Sequence, residues 1–164
     1  MMTRRNTLFS LGAVTAAIAG IGGLFKSGPT HAARNLEVVH TDAEWKKMLN
    51  ADQYQVLRKA GTEAPYTSPL NKEKRVGTFA CAGCALPLFS STTKFESGTG
   101  WPSFWQPLGK DAVIEETDST FGMKRTEVLC HRCGGHLGHV FDDGPKPTGL
   151  RYCMNGVAMN FKAA

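Results

Sequence analysis

Two C-x-x-C pairs, Cys81-Ala-Gly-Cys84 and Cys130-His-Arg-Cys133, constrain this 164-residue chain more than any other feature. Each pair is a tight turn that places two sulfurs on one side of the backbone, and Gly83, Gly134 and Gly135 are expected to ease the crowding. Four thiolates so arranged suit a closed tetrahedral Zn²⁺ site with Cys81, Cys84, Cys130 and Cys133 as ligands. Two structural disulfides, a redox-active C-x-x-C or an iron site of the same spacing also satisfy the pattern. His131, inside the second pair, is expected to be exposed rather than a ligand.

Around these turns the chain reads as mainly β. Thr41-x-x-Glu44 is a capping box, and Trp45, Met48 and Leu49 recur at helical spacing behind it. Tyr54, Val56 and Leu57 continue after a break near 50–52, so one or two short helices are expected, with Gly61 as terminator. Residues 62–74, with Pro65 and Pro69, read as an irregular strap. Short β-type runs follow at 77–80, 86–89, 113–116, 123–129, 139–141, 151–154 and 157–161, with a hairpin connection at 118–122. The expected class is an antiparallel β domain with helices at its N-terminal edge.

The first 32 residues differ in texture. Arg4 and Arg5 precede an uncharged run from Leu8 to Phe25, and Thr30-His31-Ala32 offers small residues where a signal peptidase cuts. This is the pattern of an export leader, and the arginine pair points to the twin-arginine route, although Thr7 stands where such signals carry Phe. A permanent anchor is the competing reading; the glycines at 12, 20, 22 and 23 and the cleavage site count against it. The expected organisation is a signal peptide over 1–32 and a catalytic domain over 33–164, exported to a bacterial periplasm as a monomer without an anchor. Removing Arg4, Arg5 and Lys26 leaves 16 basic against 14 acidic residues, so the mature net charge falls to +2 and no nucleic-acid footprint remains.

Three clusters outside the thiol pairs carry chemistry. Cys153, in Arg151-Tyr-Cys-Met-Asn155, is a lone cysteine in an expected strand. Arg151 and Asn155 lie two residues either side, so their side chains leave from the same face as the thiol. A guanidinium there lowers a thiol pKa. The second cluster, 134–144, holds His136 and His139 with Asp142 and Asp143 downstream, the residue types that move protons. The third, Ser97-Gly-Thr-Gly-Trp101-Pro-Ser-Phe104, reads as a glycine-flanked loop presenting aromatic rings to a methyl or thioether group, or else as part of an aromatic core.

Taken in order, C-A-G-C, S-G-T-G-W-P-S-F, C-H-R-C-G-G-H-L-G-H-V-F-D-D-G-P and R-Y-C-M-N closely resemble the methionine-R-sulfoxide reductase B family over about residues 37–162. The resemblance implies two antiparallel sheets, a structural zinc, and reduction of the R epimer of methionine sulfoxide, free or in oxidised proteins. It implies that Cys153 attacks the sulfoxide sulfur, that His136 and His139 protonate its oxygen, and that Asp143 orients a histidine. Arg151 and Asn155 would shape the thiolate site, and Trp101, with Phe104, would hold the substrate methyl. Many relatives carry a resolving cysteine where this chain has Thr99. The resemblance is therefore to a one-cysteine form, whose sulfenic acid is reduced by a small thiol or a thioredoxin-like protein. A binding module on the same fold would need neither Cys153 nor the histidines, and a thiol–disulfide oxidoreductase would work through Cys81 and Cys84 instead.

Overall fold

The computed structural model describes residues 35–119 and 124–164. The chain divides into two units between Ala32 and Ala33, and the described residues belong to the second. The expected leader and most of the 118–122 connection lie outside the described residues.

Two helices form because the sequence supplies two N-caps. Helix α1 (Asp42–Met48) starts at the Thr41 capping box, with Thr41 Oγ1 accepting from Glu44 N at 3.3 Å and the Glu44 carboxylate accepting from Thr41 N at 2.7 Å. Asn50, in extended conformation, separates it from α2 (Ala51–Lys59) and builds a second box with Gln53. The left-handed residue that ends α2 is Ala60 (φ 52°), not Gly61 as the sequence suggests. Gly61 follows it, where a Cβ would meet the Gln55 carbonyl oxygen at 2.9 Å.

The β layer is two antiparallel sheets, as expected. Strands β1 (Gly77–Cys81), β2 (Pro87–Ser90) and β9 (Met159–Ala163) form a three-stranded sheet ordered β2-β1-β9. Strands β3 (Lys94–Phe95), β4 (Ser103–Phe104), β5 (Val113–Asp118), β6 (Arg125–Cys130), β7 (His136–Phe141) and β8 (Arg151–Met154) form a six-stranded sheet ordered β3-β4-β8-β7-β6-β5. The run at 157–161 splits into a 3-10 turn at Gly156–Ala158 and β9. The two-residue strands β3 and β4 carry no alternation long enough to read. Pairing with β8 holds β4 in place, with Ser103 opposite Cys153 and Phe104 opposite Tyr152.

That register decides the fate of Phe104. Successive strand residues point to opposite faces, so Phe104 shares the core face with Tyr152 while Ser103 shares the other with Cys153. Phe104 is fully buried, stacked on Phe89 at 4.4 Å and edge-on to Phe79 at 4.9 Å. It joins the two sheets rather than lining a substrate wall, which corrects the expectation from sequence. Phe104→Ala should lower unfolding free energy by about 3–5 kcal/mol in urea titration, since the cavity is walled by two other rigid rings.

Candidate active site and metal centre

The two thiol turns are copies of one geometry. Cys81 N donates to Leu86 O and Ala85 N to Cys81 O; in the second turn Cys130 N donates to Gly135 O and Gly134 N to Cys130 O. The equivalent residues Ala85 (φ 58°) and Gly134 (φ 66°) take the left-handed conformation. Gly83 is not forced by sterics, since a Cβ there stays 3.4 Å from its nearest neighbour, whereas one on Gly135 would come 2.9 Å from the Leu57 side chain. All four sulfurs lie within 4.8 Å of one another, with Cys81–Cys133 at 3.8 Å and Cys84–Cys130 at 3.4 Å. None is bonded to another, and His131 lies outside the cluster. The four cysteines could hold a metal ion.

Because β1 ends at Cys81 and β6 ends at Cys130, the cluster staples the small sheet to the large one. It also seats the helices. Arg58 donates to Cys133 O at 3.1 Å, and its guanidinium lies 4.8 Å over the Trp45 ring.

Cys153 sits mid-sheet on β8, with His139 of β7 opposite it on one side and Ser103 of β4 on the other. Gly138 permits this approach: a Cβ there would lie 2.1 Å from the Cys153 carbonyl oxygen. Arg151 shares the Cys153 face, as the strand period requires. It is held by two hydrogen bonds to Asp143, both 2.8 Å, and lies 4.4 Å over the Phe141 ring. Thr99 Oγ1 stands 3.8 Å from the Cys153 sulfur. Burial pushes the Cys153 thiol above its ordinary value; Thr99 and Arg151 pull it down and do not outweigh the desolvation. The sequence expectation of a thiol lowered by Arg151 captured the smaller effect.

His136 and His139 are three apart, a spacing that on a regular strand puts side chains on opposite faces. A register shift opposite Val128/Leu129 adds a residue to β7 and turns both rings to one side, 5.5 Å apart at their centroids. Each ring is fixed by its own carboxylate. His136 Nδ1 pairs with Glu127 at 2.6 Å, and His139 Nε2 with Asp118 at 3.1 Å. Burial pushes the His139 pKa down, more than Asp118 raises it, with Arg125 and His136 adding to the fall.

Residues 49–163 match the SelR domain. A peptide methionine sulfoxide reductase MsrB of Leptospira interrogans is 55% identical over 128 residues, covering 78% of this chain and 98% of that protein. The MsrB of Pseudomonas putida (strain W619) is 59% identical over 119 residues, covering 73% and 90%, and that of Methanosarcina barkeri 54% over 125, covering 76% and 88%. The chain belongs to the MsrB family.

Within this MsrB site the structure reassigns two expected roles. Asp143 is bonded to Arg151, and the carboxylates on the histidines are Glu127 and Asp118. Asn155 is buried with its amide committed to backbone, accepting from Glu63 N at 2.9 Å and donating to Leu137 O at 3.1 Å. Its contribution is to tie the strap to the sheet behind Cys153. Trp101, half-buried on the loop entering β4, donates from Nε1 to Glu63 O at 3.1 Å. Glu63 thus holds the Trp101 loop through its carbonyl while its carboxylate accepts from Gly156 N and Val157 N. Sequence reading passed over Glu63 because it lies in the irregular strap. Glu127 was findable, since aligning β6 with β7 places it opposite His139.

Burial disfavours the imidazolium form and holds the His139 pKa of this MsrB chain below the ordinary 6.5. The unfolded chain binds that proton more readily, so the residue subtracts stability as pH falls below the ordinary 6.5. Imidazole NMR should place its midpoint below 6.5, and Asp118→Asn should lower it further by removing the partner that favours the charge.

Proposed function

We propose that this MsrB chain reduces the R epimer of methionine sulfoxide, peptide-bound and free, to methionine through a sulfenic acid on Cys153. The placement of Cys153 carries the reading. It is half-buried, flanked in register by His139, beside a clamped Arg151, and outside the thiol cluster. The Cys153 sulfur attacks the sulfoxide sulfur, and the sulfoxide oxygen takes up a proton from the side on which His136 and His139 stand. The oxygen ends on Cys153, so the thiol becomes S–OH and the sulfoxide becomes a thioether. Two external thiols, or a thioredoxin-like dithiol, then return S–OH to S–H, releasing water and leaving a disulfide on the reductant. Thr99 in place of a cysteine supports reduction from outside rather than through an internal disulfide. Arg151, fixed by Asp143, keeps a positive charge by the reacting sulfur, and Trp101, on the loop entering β4, supplies the apolar ring for the substrate methyl.

The metal is read as zinc. With Zn–S bonds near 2.3 Å, a tetrahedral tetrathiolate has sulfurs about 3.8 Å apart, which the cluster approaches. Cys81, Cys84, Cys130 and Cys133 would hold it, and its chemistry there is structural: it supplies a rigid cross-link and takes no part in the reaction. Residues 1–32 direct export, with the arginine pair favouring the twin-arginine route, and cleavage after Ala32 leaves a periplasmic monomer over 33–164 with no anchor. Among the described residues no helix is long and apolar enough to cross a membrane.

Stereo-resolved assay of methionine sulfoxide with dithiothreitol tests the reaction. The R epimer should be consumed and the S epimer left, and Cys153→Ser should abolish turnover with bound metal unchanged. Consumption of neither epimer by the folded protein would sink the reductase reading in favour of a binding module. Cys130→Ser should release one zinc per chain and lower stability by several kcal/mol, because metal binding is coupled to folding. Retention of metal and melting temperature would contradict the clamp.

A further inference from the structure

The loop that places Thr99 beside Cys153 carries a continuous row of hydroxyls. Ser103 Oγ donates to Trp101 O at 3.1 Å and lies 2.7 Å from Ser97 Oγ. Ser97 Oγ lies 2.8 Å from Thr99 Oγ1, which reaches the Cys153 sulfur at 3.8 Å. Ser103 is fully buried, and Ser97 and Thr99 are half-buried.

Proton counting fixes the direction of this row. Each hydroxyl has one proton to donate and lone pairs to accept with. With the Ser103 proton on the Trp101 carbonyl, Ser97 must donate to Ser103 and Thr99 to Ser97. Thr99 then faces the sulfur with a lone pair, and the Cys153 S–H is the donor. When Cys153 ionises, its proton passes to a base in solvent and the sulfur becomes an acceptor. Thr99 can then serve the thiolate with the row unbroken only if all three hydroxyls turn: Thr99 to sulfur, Ser97 to Thr99, Ser103 to Ser97. The Trp101 carbonyl loses its donor in that turn.

We propose that Ser103, Ser97 and Thr99 form a reversible hydroxyl relay, which accepts a hydrogen bond from the Cys153 S–H in the thiol form and donates one to the sulfur in the thiolate form. The relay rests on the reductase reading of Cys153 and adds positioning residues to it. It couples the charge on the nucleophile to the backbone of the loop that carries Trp101, so the ring and the thiolate are set together. Charged or titratable groups on the packed elements are Arg151 of β8 with its partner Asp143, and His139 and His136 of β7 with their partners Asp118 of β5 and Glu127 of β6. Arg151 favours the thiolate and Asp143 opposes it. β4 brings the relay's own Ser103.

Opposite shifts from two ends of one hydroxyl row separate a relay from ordinary packing. The test follows the pH dependence of Cys153 alkylation by iodoacetamide in the full chain, with the modified residue identified by mass spectrometry. Thr99→Val removes the donor to the thiolate and should raise the midpoint by about one pH unit, while Thr99→Ser should restore it. Ser103→Ala removes the anchor that draws protons away from the sulfur and should lower the midpoint. Ser97→Ala breaks the row at a less buried point and should lower it too, which covers the case of Ser103→Ala failing to fold. An unmoved midpoint in Thr99→Val, or a rise in Ser97→Ala, overturns the relay. Alkylation needs no turnover, so the relay and the reductase reading fail separately: loss of R-epimer reduction by the unsubstituted protein touches only the latter.

Discussion

Four cysteine side chains at the ends of two strands set the frame for the rest of the molecule. β1 and β6 belong to different sheets and meet at their C-terminal ends through Cys81, Cys84, Cys130 and Cys133. The first turn donates from Ala82 N to Ala158 O, in the 3-10 turn that follows β8. The second holds α2 through Arg58 and precedes the histidine strand directly. The Phe79, Phe89 and Phe104 rings join the sheets in the core, and a metal held by the four cysteines would tie the ends of β1 and β6 together as well. The strand that ends at Cys130 pairs with the histidine strand β7, and β7 pairs with the Cys153 strand β8, so the cluster and the two histidines share one ladder with Cys153.

The environment of Cys153 is a balance in which burial prevails. Desolvation keeps the thiol protonated at rest, against the pull of Arg151 and Thr99. The same burial holds the His139 pKa below its ordinary value. Three polar side chains in the site are each held by a second side chain, Arg151 by Asp143, His136 by Glu127 and His139 by Asp118, and Trp101 is held by the Glu63 backbone. Such pairing lets a half-buried polar site keep one geometry without strain.

What the sequence disclosed follows the range of the interactions involved. The thiol turns, the capping box at Thr41 and the shared face of Arg151 and Cys153 depend on residues within four positions of one another, and all were legible. Two sheets followed from the family resemblance rather than from periodicity. Most differences concern partners that strand pairing brings together, while the α2 terminator, Ala60 in place of Gly61, is a local one. Asp143 was read with the neighbouring histidines, yet the strand return brings Arg151 to it. Phe104 was read with Trp101 as one aromatic loop, but the β4–β8 register sends it through to the core. Glu63 lies 93 residues before Gly156, whose amide it caps, and no local pattern marks it. The two histidines share a face only through a bulge that neither periodicity nor composition announces.

A single-turnover reaction on the full chain with R-methionine sulfoxide and no reductant bears most directly on the central claim, that Cys153 alone takes the oxygen. The expected result is one methionine formed per chain, with a dimedone-trapped sulfenic acid on Cys153 and all four cluster cysteines unmodified. Methionine formed together with a disulfide among Cys81, Cys84, Cys130 and Cys133, and with Cys153 untouched, would contradict it.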